Sequence, residues 1–109
     1  MKKLGIAVWG LGNHALNRII PAINSVQELS LIGVCSRNEN KVLECSENWD
    51  CHGWVDSSEM LSNSSIDVIY ISTPIGVHFN QAIQTLKAGK HVWCEKPLTC
   101  DYENTIELV

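Results

Sequence analysis

Apolar residues in this chain fall into short unbroken runs, separated by stretches in which they recur every third or fourth position. Leu4-Gly-Ile-Ala-Val-Trp9 and Leu29-Ser-Leu-Ile-Gly-Val-Cys35 are runs of the first kind, closed by Gly10 and Ser36. They predict strands buried on both faces. Between them Leu16, Ile19, Ile20 and Ile23 repeat with helical spacing. Pro21 removes a backbone donor from that segment, so the helix is expected to kink or shorten there.

Asn38 to Trp49 carries Val42, Leu43 and Trp49 among polar residues and predicts a short amphipathic helix, followed by Cys51-His52 and Gly53. Trp54-Val55 has room only for a stub of strand, and Asp56-Ser57-Ser58 supplies N-cap residues for a brief helix with Met60 and Leu61. Ser62 to Ser65 is turn chemistry. Ile66-Asp-Val-Ile-Tyr-Ile-Ser-Thr73 reads as a central strand, rich in β-branched residues and stopped by Pro74. From His78 to Ala88, Phe79, Ala82, Ile83 and Leu86 mark one helix face, with Gly89 at the C′ position. Lys90 to Glu95 is the next strand, and Asp101 caps a final helix bearing Tyr102, Thr105, Ile106 and Val109.

Strands alternating with helices predict an α/β fold, a Rossmann-like doubly wound parallel sheet of about five strands with right-handed crossovers. The 109 residues suit one compact domain. The last helix has no stop signal, and a six-stranded dinucleotide sheet needs one strand more. Residues 1–109 are therefore expected to be a truncated dinucleotide-binding domain.

Composition narrows the ligand. Eight Lys and Arg against twelve Asp and Glu give a net charge of −4, so there is no bulk attraction to nucleic acid or an anionic membrane. A bound anion must be gripped locally. Charged residues make up 18%, below the usual share, but ten Ser and nine Asn supply uncharged polar surface instead. Met1-Lys2-Lys3 imitates the start of a secretory signal, yet Gly5 and Gly10 interrupt the apolar run behind it and no cleavage pattern follows. No apolar stretch is long enough to span a membrane. Five cysteines, at positions 35, 45, 51, 94 and 100, fit no paired framework and point to a reducing cytoplasm. Cys45, Cys51 and His52 lack the spacing of a zinc site, so no metal is expected.

Gly10-Leu-Gly-Asn-His-Ala15 has the form G-x-G-x-x-A at the junction of the first strand and first helix. In that setting Gly10 makes the tight turn and Gly12 admits a pyrophosphate to backbone amides, while Ala15 lets helix and strand pack closely. The backbone of Asn13 and His14 opens the helix toward the anion. The imidazoles of His14, His52 and His91 are read as structural or surface groups. At the second strand tip, Cys35-Ser36-Arg37 offers a hydroxyl and a guanidinium where a carboxylate commonly meets a ribose. Ser36 and Arg37 therefore favour NADP over NAD. Two other arrangements stay open: Arg37 stacking on adenine or lying in solvent, and Glu39 reaching the ribose.

Two further strand tips, Thr73-Pro74 and Glu95-Lys96-Pro97, end in proline. Either the prolines aim Thr73 and Lys96 into one crevice, or they are plain punctuation. Trp9 and Trp93 are expected in the core, and Cys94 is expected to be inert.

The glycine motif, Ile66 to Pro74 with His78 beyond it, and Gly89-Lys-His-Val-Trp-Cys-Glu-Lys-Pro-Leu98 together resemble the N-terminal domain of the glucose-fructose oxidoreductase and inositol dehydrogenase family, Gfo/Idh/MocA. The resemblance runs in order along nearly the whole chain, and the Glu-Lys-Pro segment is its most specific part. It implies that Thr73, Pro74 and His78 lie near the nicotinamide half and that Glu95, Lys96 and Pro97 border nicotinamide and substrate. Lys96-Pro97 becomes a candidate cis bond. Ile75 departs from the pattern, since an Asn commonly follows Thr-Pro, and an Ile has no side-chain donor.

The implied chemistry is hydride transfer between a nicotinamide and a sugar or cyclitol hydroxyl, with Lys96 as the catalytic residue that hydrogen-bonds the reacting oxygen. The resemblance also implies a C-terminal substrate domain supplying the general base and the oligomer interfaces, so the 109 residues alone are expected to be inactive. A non-catalytic nucleotide-binding module, regulatory or redox-sensing, is the alternative, and a Rossmann-like scaffold without ligand is a third.

Overall fold

The computed structural model describes residues 3–73 and 75–94. Within them five strands, β1 (Leu4–Trp9), β2 (Leu29–Cys35), β3 (His52–Trp54), β4 (Val68–Ile71) and β5 (His91–Cys94), pair in parallel in the order β3-β2-β1-β4-β5. Helix α1 is π-helical over Ala15–Ile19 and α-helical over Ile20–Ser25; α2 (Glu39–Trp49), α3 (Ser57–Leu61) and α4 (Ile75–Lys87) complete the set. The chain winds outward from β1 through β2 to β3, then returns to β4 on the other side of β1. This is the doubly wound α/β sheet that the alternating pattern predicts.

Each strand feeds both faces because successive side chains point to opposite sides. Ile6, Val8, Val34 and Val68 pack with Ile20 and Ile23 of α1 and Val42 and Cys45 of α2. Ala7, Trp9, Cys35, Ile69 and Ile71 pack with Met60 of α3 and Ala82 of α4 on the opposite side. The two helix layers therefore part company at β1, between β1 and β4, where the order of winding reverses. In open α/β sheets such a reversal leaves a crevice outside the carboxyl ends of the strands.

Register makes those ends level. Trp9 lies opposite Cys35 and Ile71, and Cys35 lies opposite Trp54. Gly10, Ser36 and Ser72 consequently leave the sheet side by side. The amino edge is fastened by a buried lysine: Lys90 Nζ donates to the carbonyls of Asn63 at 2.7 Å and Ile66 at 2.9 Å. Nearby, the Gly5 amide donates to the Asp67 carboxylate at 2.8 Å.

Several expectations need correction. β3 comprises His52–Trp54 and not Trp54-Val55, because it is an edge strand whose outer residues stay exposed and carry no hydrophobic signal. Its Trp54 ring lies against Gly33, where a β-carbon would fall 2.4 Å from the ring. β4 is Val68–Ile71, shorter than 66–73, although the Asp67 and Ser72 amides beyond its two ends still donate to Gly5 and Trp9. α4 starts at Ile75, ahead of His78. Leu43 faces solvent on α2 while Cys45 takes the inward position. Trp93 is 41% exposed on β5, so it is not a core residue.

The first helix differs most. Leu16 and Ile19 are only half-buried, whereas Ala15 and Ile20 are fully enclosed. A proline ring crowds the carbonyl four residues before it. Here the ladder widens just ahead of Pro21, and the Ile20 amide bonds to Ala15, five residues back. Where the sequence predicts a kink or a shortening, the structure has a π turn. The predicted final helix, 101–109, lies outside the described residues.

Candidate functional site

The turn after β1 is held from both sides. The Gly10 amide donates to the Cys35 carbonyl at 2.8 Å, and the Ser72 amide donates to Trp9 at 2.8 Å. Gly10 has φ of +108°, and a β-carbon on it would sit 2.8 Å from the Ser72 backbone. Only glycine combines that conformation with that approach. Gly12 is the opposite case: no atom lies within 4 Å of the place its β-carbon would take. Its Cα borders open space beside the start of α1, and Leu16 already closes back on the Gly12 carbonyl at 3.0 Å.

That space is a cleft of about 590 Å3 at the carboxyl ends of β1, β2 and β4. Gly10 and Gly12 form one wall, Ser36, Arg37 and Lys41 a second, and Thr73 with Gln81 a third. The Ser36 hydroxyl accepts from the Asn38 amide at 3.1 Å, which fixes its oxygen and leaves its hydrogen to donate. The Ser36 amide is bound to the Trp54 carbonyl at 3.2 Å, so the β2 tip is tied to β3. Asn38 caps α2 through a bond from the Lys41 amide at 3.1 Å. Thr73 donates its hydroxyl to the side-chain carbonyl of Gln81, joining the end of β4 to α4.

The cleft continues into a smaller hollow of about 280 Å3, where Trp9, Ser36, Arg37 and Gln81 recur and Val55 adds an apolar surface. No carboxylate lines either space among the described residues. Two formal cations, a hydroxyl and open backbone therefore meet at one end, an arrangement suited to a phosphate-bearing ligand. Glu39 stands exposed in the first turn of α2 and does not line the cleft.

Of the residues expected from the sequence, Gly10, Gly12, Ser36, Arg37 and Thr73 come together in this cleft. Asn13 and His14 open α1 beside it and are exposed, but do not line it. Pro74, Glu95, Lys96 and Pro97 lie outside the described residues, as does the side chain of His78. Sequence reasoning missed Trp9, Asn38, Lys41 and Gln81 as lining residues. Lys41 left a signal, being on the first turn of a helix whose N-cap follows Arg37 directly.

Cys35, which lines the smaller hollow, and the half-buried Cys51 stay protonated at neutral pH. Burial, with a smaller contribution from Asp56, pushes Cys35 from 9.0 up to about 11. Burial, then Cys45 and Asp50, does the same to Cys51. No group of three or more potential metal ligands occurs among the described residues.

Comparison with known proteins agrees with this geometry. Residues 4–109 match the model of the Gfo/Idh/MocA oxidoreductase family, described as having an NAD-binding Rossmann fold. The chain belongs to that family. Among curated relatives, this Gfo/Idh/MocA chain is 32% identical to the dTDP-3,4-didehydro-2,6-dideoxy-alpha-D-glucose 3-reductase of Saccharopolyspora spinosa, over 99% of its own length and 32% of the relative's. It is 29% identical to the scyllo-inositol 2-dehydrogenase (NADP(+)) of Bacillus subtilis, over 89% of its length and 30% of the relative's. Its fold superposes with a TM-score of 0.93 on a 3-ketoreductase from Actinomadura kijaniata in complex with TDP-benzene and NADP, at 25% identity, covering 98% of this chain and 34% of that one. The chain thus spans about a third of the length of these relatives.

Proposed function

We propose that this chain binds NADP(H) and forms the cofactor-binding domain of an oxidoreductase that acts on a sugar or cyclitol hydroxyl. The observation that carries the reading is the cleft itself, with Gly12 open to it and Ser36, Arg37 and Lys41 converging at the β2 tip without a carboxylate. A ribose 2′-phosphate carries up to two negative charges that a carboxylate would repel. A guanidinium and an ammonium within one turn of each other attract it. Lys41 joins Ser36 and Arg37 in this role.

The open backbone at Gly12 and the start of α1, with Asn13 and His14, receive the pyrophosphate. Thr73 and Pro74, with His78 beyond them, border the nicotinamide half, and Gln81 holds the Thr73 side chain in place. When bound, the nicotinamide supplies hydride transfer at C4. Lys96 is the proposed catalytic residue: its ammonium hydrogen-bonds the substrate oxygen and stabilises the alkoxide that develops as the carbinol is oxidised. Glu95 and Pro97 flank it. The general base and most substrate contacts belong to a second domain, as does assembly into a homo-oligomer.

The relatives act on sugar nucleotides and inositols by their names, which supports a polyhydroxylated substrate over a non-catalytic module. No helix among the described residues is long and apolar enough to cross a membrane, in keeping with a proposed cytoplasmic location. Tryptophan fluorescence tests the reading, because Trp9 lines the cleft. Titration with NADPH is expected to perturb the emission at lower concentration than NADH. A clear NADH preference overturns the 2′-phosphate assignment, and no response to either at millimolar concentration overturns nucleotide binding.

A further inference from the structure

The periodicity of Leu16, Ile19, Ile20 and Ile23 is that of a straight helix, and a straight helix would bury Leu16. The structure buries Ala15 in its place, with Ile20 and Ile23. Ala15 and Ile20 are five residues apart, which in a regular helix puts them roughly 140° out of line. They share the sheet-facing side because the turn between them is π-helical, closed by the Ile20 amide on the Ala15 carbonyl. Pro21 follows at once. It has no amide to give the Asn17 carbonyl, and in a regular ladder its ring would strike that carbonyl.

The consequence reaches the cleft. One extra residue in the turn rotates everything ahead of it by about one residue's arc, ~100°. Ala15, the small third member of the glycine motif, is turned onto β1, and Leu16 is carried to the rim of the core, where it is half-buried. The bulkier Leu16 in the Ala15 position would hold the helix start away from the sheet, and Gly12 with it.

We propose that Pro21 is a positioning residue for the dinucleotide site. By enforcing the π turn it selects Ala15 over Leu16 as the inward residue and so sets the backbone of Gly12, just ahead of the helix, against the cleft. The inference rests on the nucleotide-binding reading above and adds to it a residue outside the motif, in no contact with the cleft.

The test is Pro21→Ala, with NADPH titrated against tryptophan fluorescence and amide hydrogen exchange followed over residues 15–22. The variant regains an amide and is free to form the straight ladder that buries Leu16. NADPH affinity is expected to fall roughly tenfold or more, as misplacement of a binding backbone does, while exchange at position 21 is slow, as in a closed α-helical turn. The double variant Leu16→Gln with Pro21→Ala is expected to recover most of the affinity, because a glutamine gains nothing by turning inward. Unchanged affinity in Pro21→Ala overturns the proposal. So does a loss that Leu16→Gln fails to restore, which would mark a general folding defect. If the unsubstituted chain binds neither NADPH nor NADH, the nucleotide reading fails and this inference fails with it; if that chain binds NADPH and Pro21→Ala matches it, only this inference fails.

Discussion

The Thr73 hydroxyl donates to the side-chain carbonyl of Gln81, and both residues face the cleft opened by the glycine turn. The bond fastens the point where β4 leaves the sheet to the second turn of α4. Thr73 also places its methyl beside Gly10, 2.9 Å from where a β-carbon would be. Thr73→Val keeps that methyl and replaces the hydroxyl with a second one, which cannot donate to Gln81. It is expected to cost about 1 kcal/mol of stability and to weaken NADPH binding several-fold, measured by denaturant unfolding and fluorescence titration. Full retention of both would show that the bond does not hold the site.

Gly10 and Gly12 separate fold from function. Gly10→Ala adds a β-carbon at positive φ, 2.8 Å from the Ser72 backbone, and is expected to destabilise the chain by at least about 2 kcal/mol. Gly12→Val meets open space, so the melting temperature should hold while NADPH binding is abolished. Circular dichroism melts alongside titrations distinguish the two.

Arg37→Ala and Lys41→Ala should each weaken NADPH by about 1.5–3 kcal/mol, the usual worth of a hydrogen bond to a charged group, and leave NADH nearly unchanged. Equal losses for both nucleotides would place these side chains on the pyrophosphate or adenine instead.

Lys90 belongs to the Gly-Lys-His-Val segment that carries the family resemblance, yet it lies at the amino edge of β5, far along the strands from the cleft. It is 8% exposed, with its ammonium on two backbone carbonyls. Lys90→Met fills similar space but leaves the Ile66 carbonyl without this donor, and is expected to lower stability by about 2 kcal/mol. Unfolding in urea measures it. Nucleotide affinity of the folded fraction should be unchanged.

Alkaline pH should loosen the fold. Cys35 and Cys51 keep their protons in the folded chain up to about pH 11, against 9.0 when exposed. Between those values the unfolded chain loses protons that the folded chain retains, so this contribution to stability is complete below pH 9.0 and declines as pH rises toward 11. The unfolding midpoint should fall across that interval, and Cys35→Ala should flatten the decline. At neutral pH both thiols should react slowly with alkylating reagents.

The sequence by itself determined what depends on neighbours a few residues apart. The strand runs, the amphipathic character of α2 and α4, the cap at Asp56 and the glycine turn all follow from local backbone preference and side-chain periodicity. So did Gly10, Gly12, Ser36, Arg37 and Thr73, because a parallel sheet with both faces covered leaves its strand tips as the place for a ligand. Tertiary structure decided what depends on partners far along the chain. β3 forms because β2 offers it an edge and Gly33 offers room for Trp54, not because His52-Gly53 favours a strand. Lys41 and Gln81 become wall residues only once α2 and α4 stand on opposite faces of β1 and β4. The π turn ahead of Pro21 brings Ala15 and Ile20 to the same side of α1, a change of phase that a single helical period does not show. Periodicity reports which side chains would gain from burial, and the close packing of helix against sheet decides which of them the available space admits.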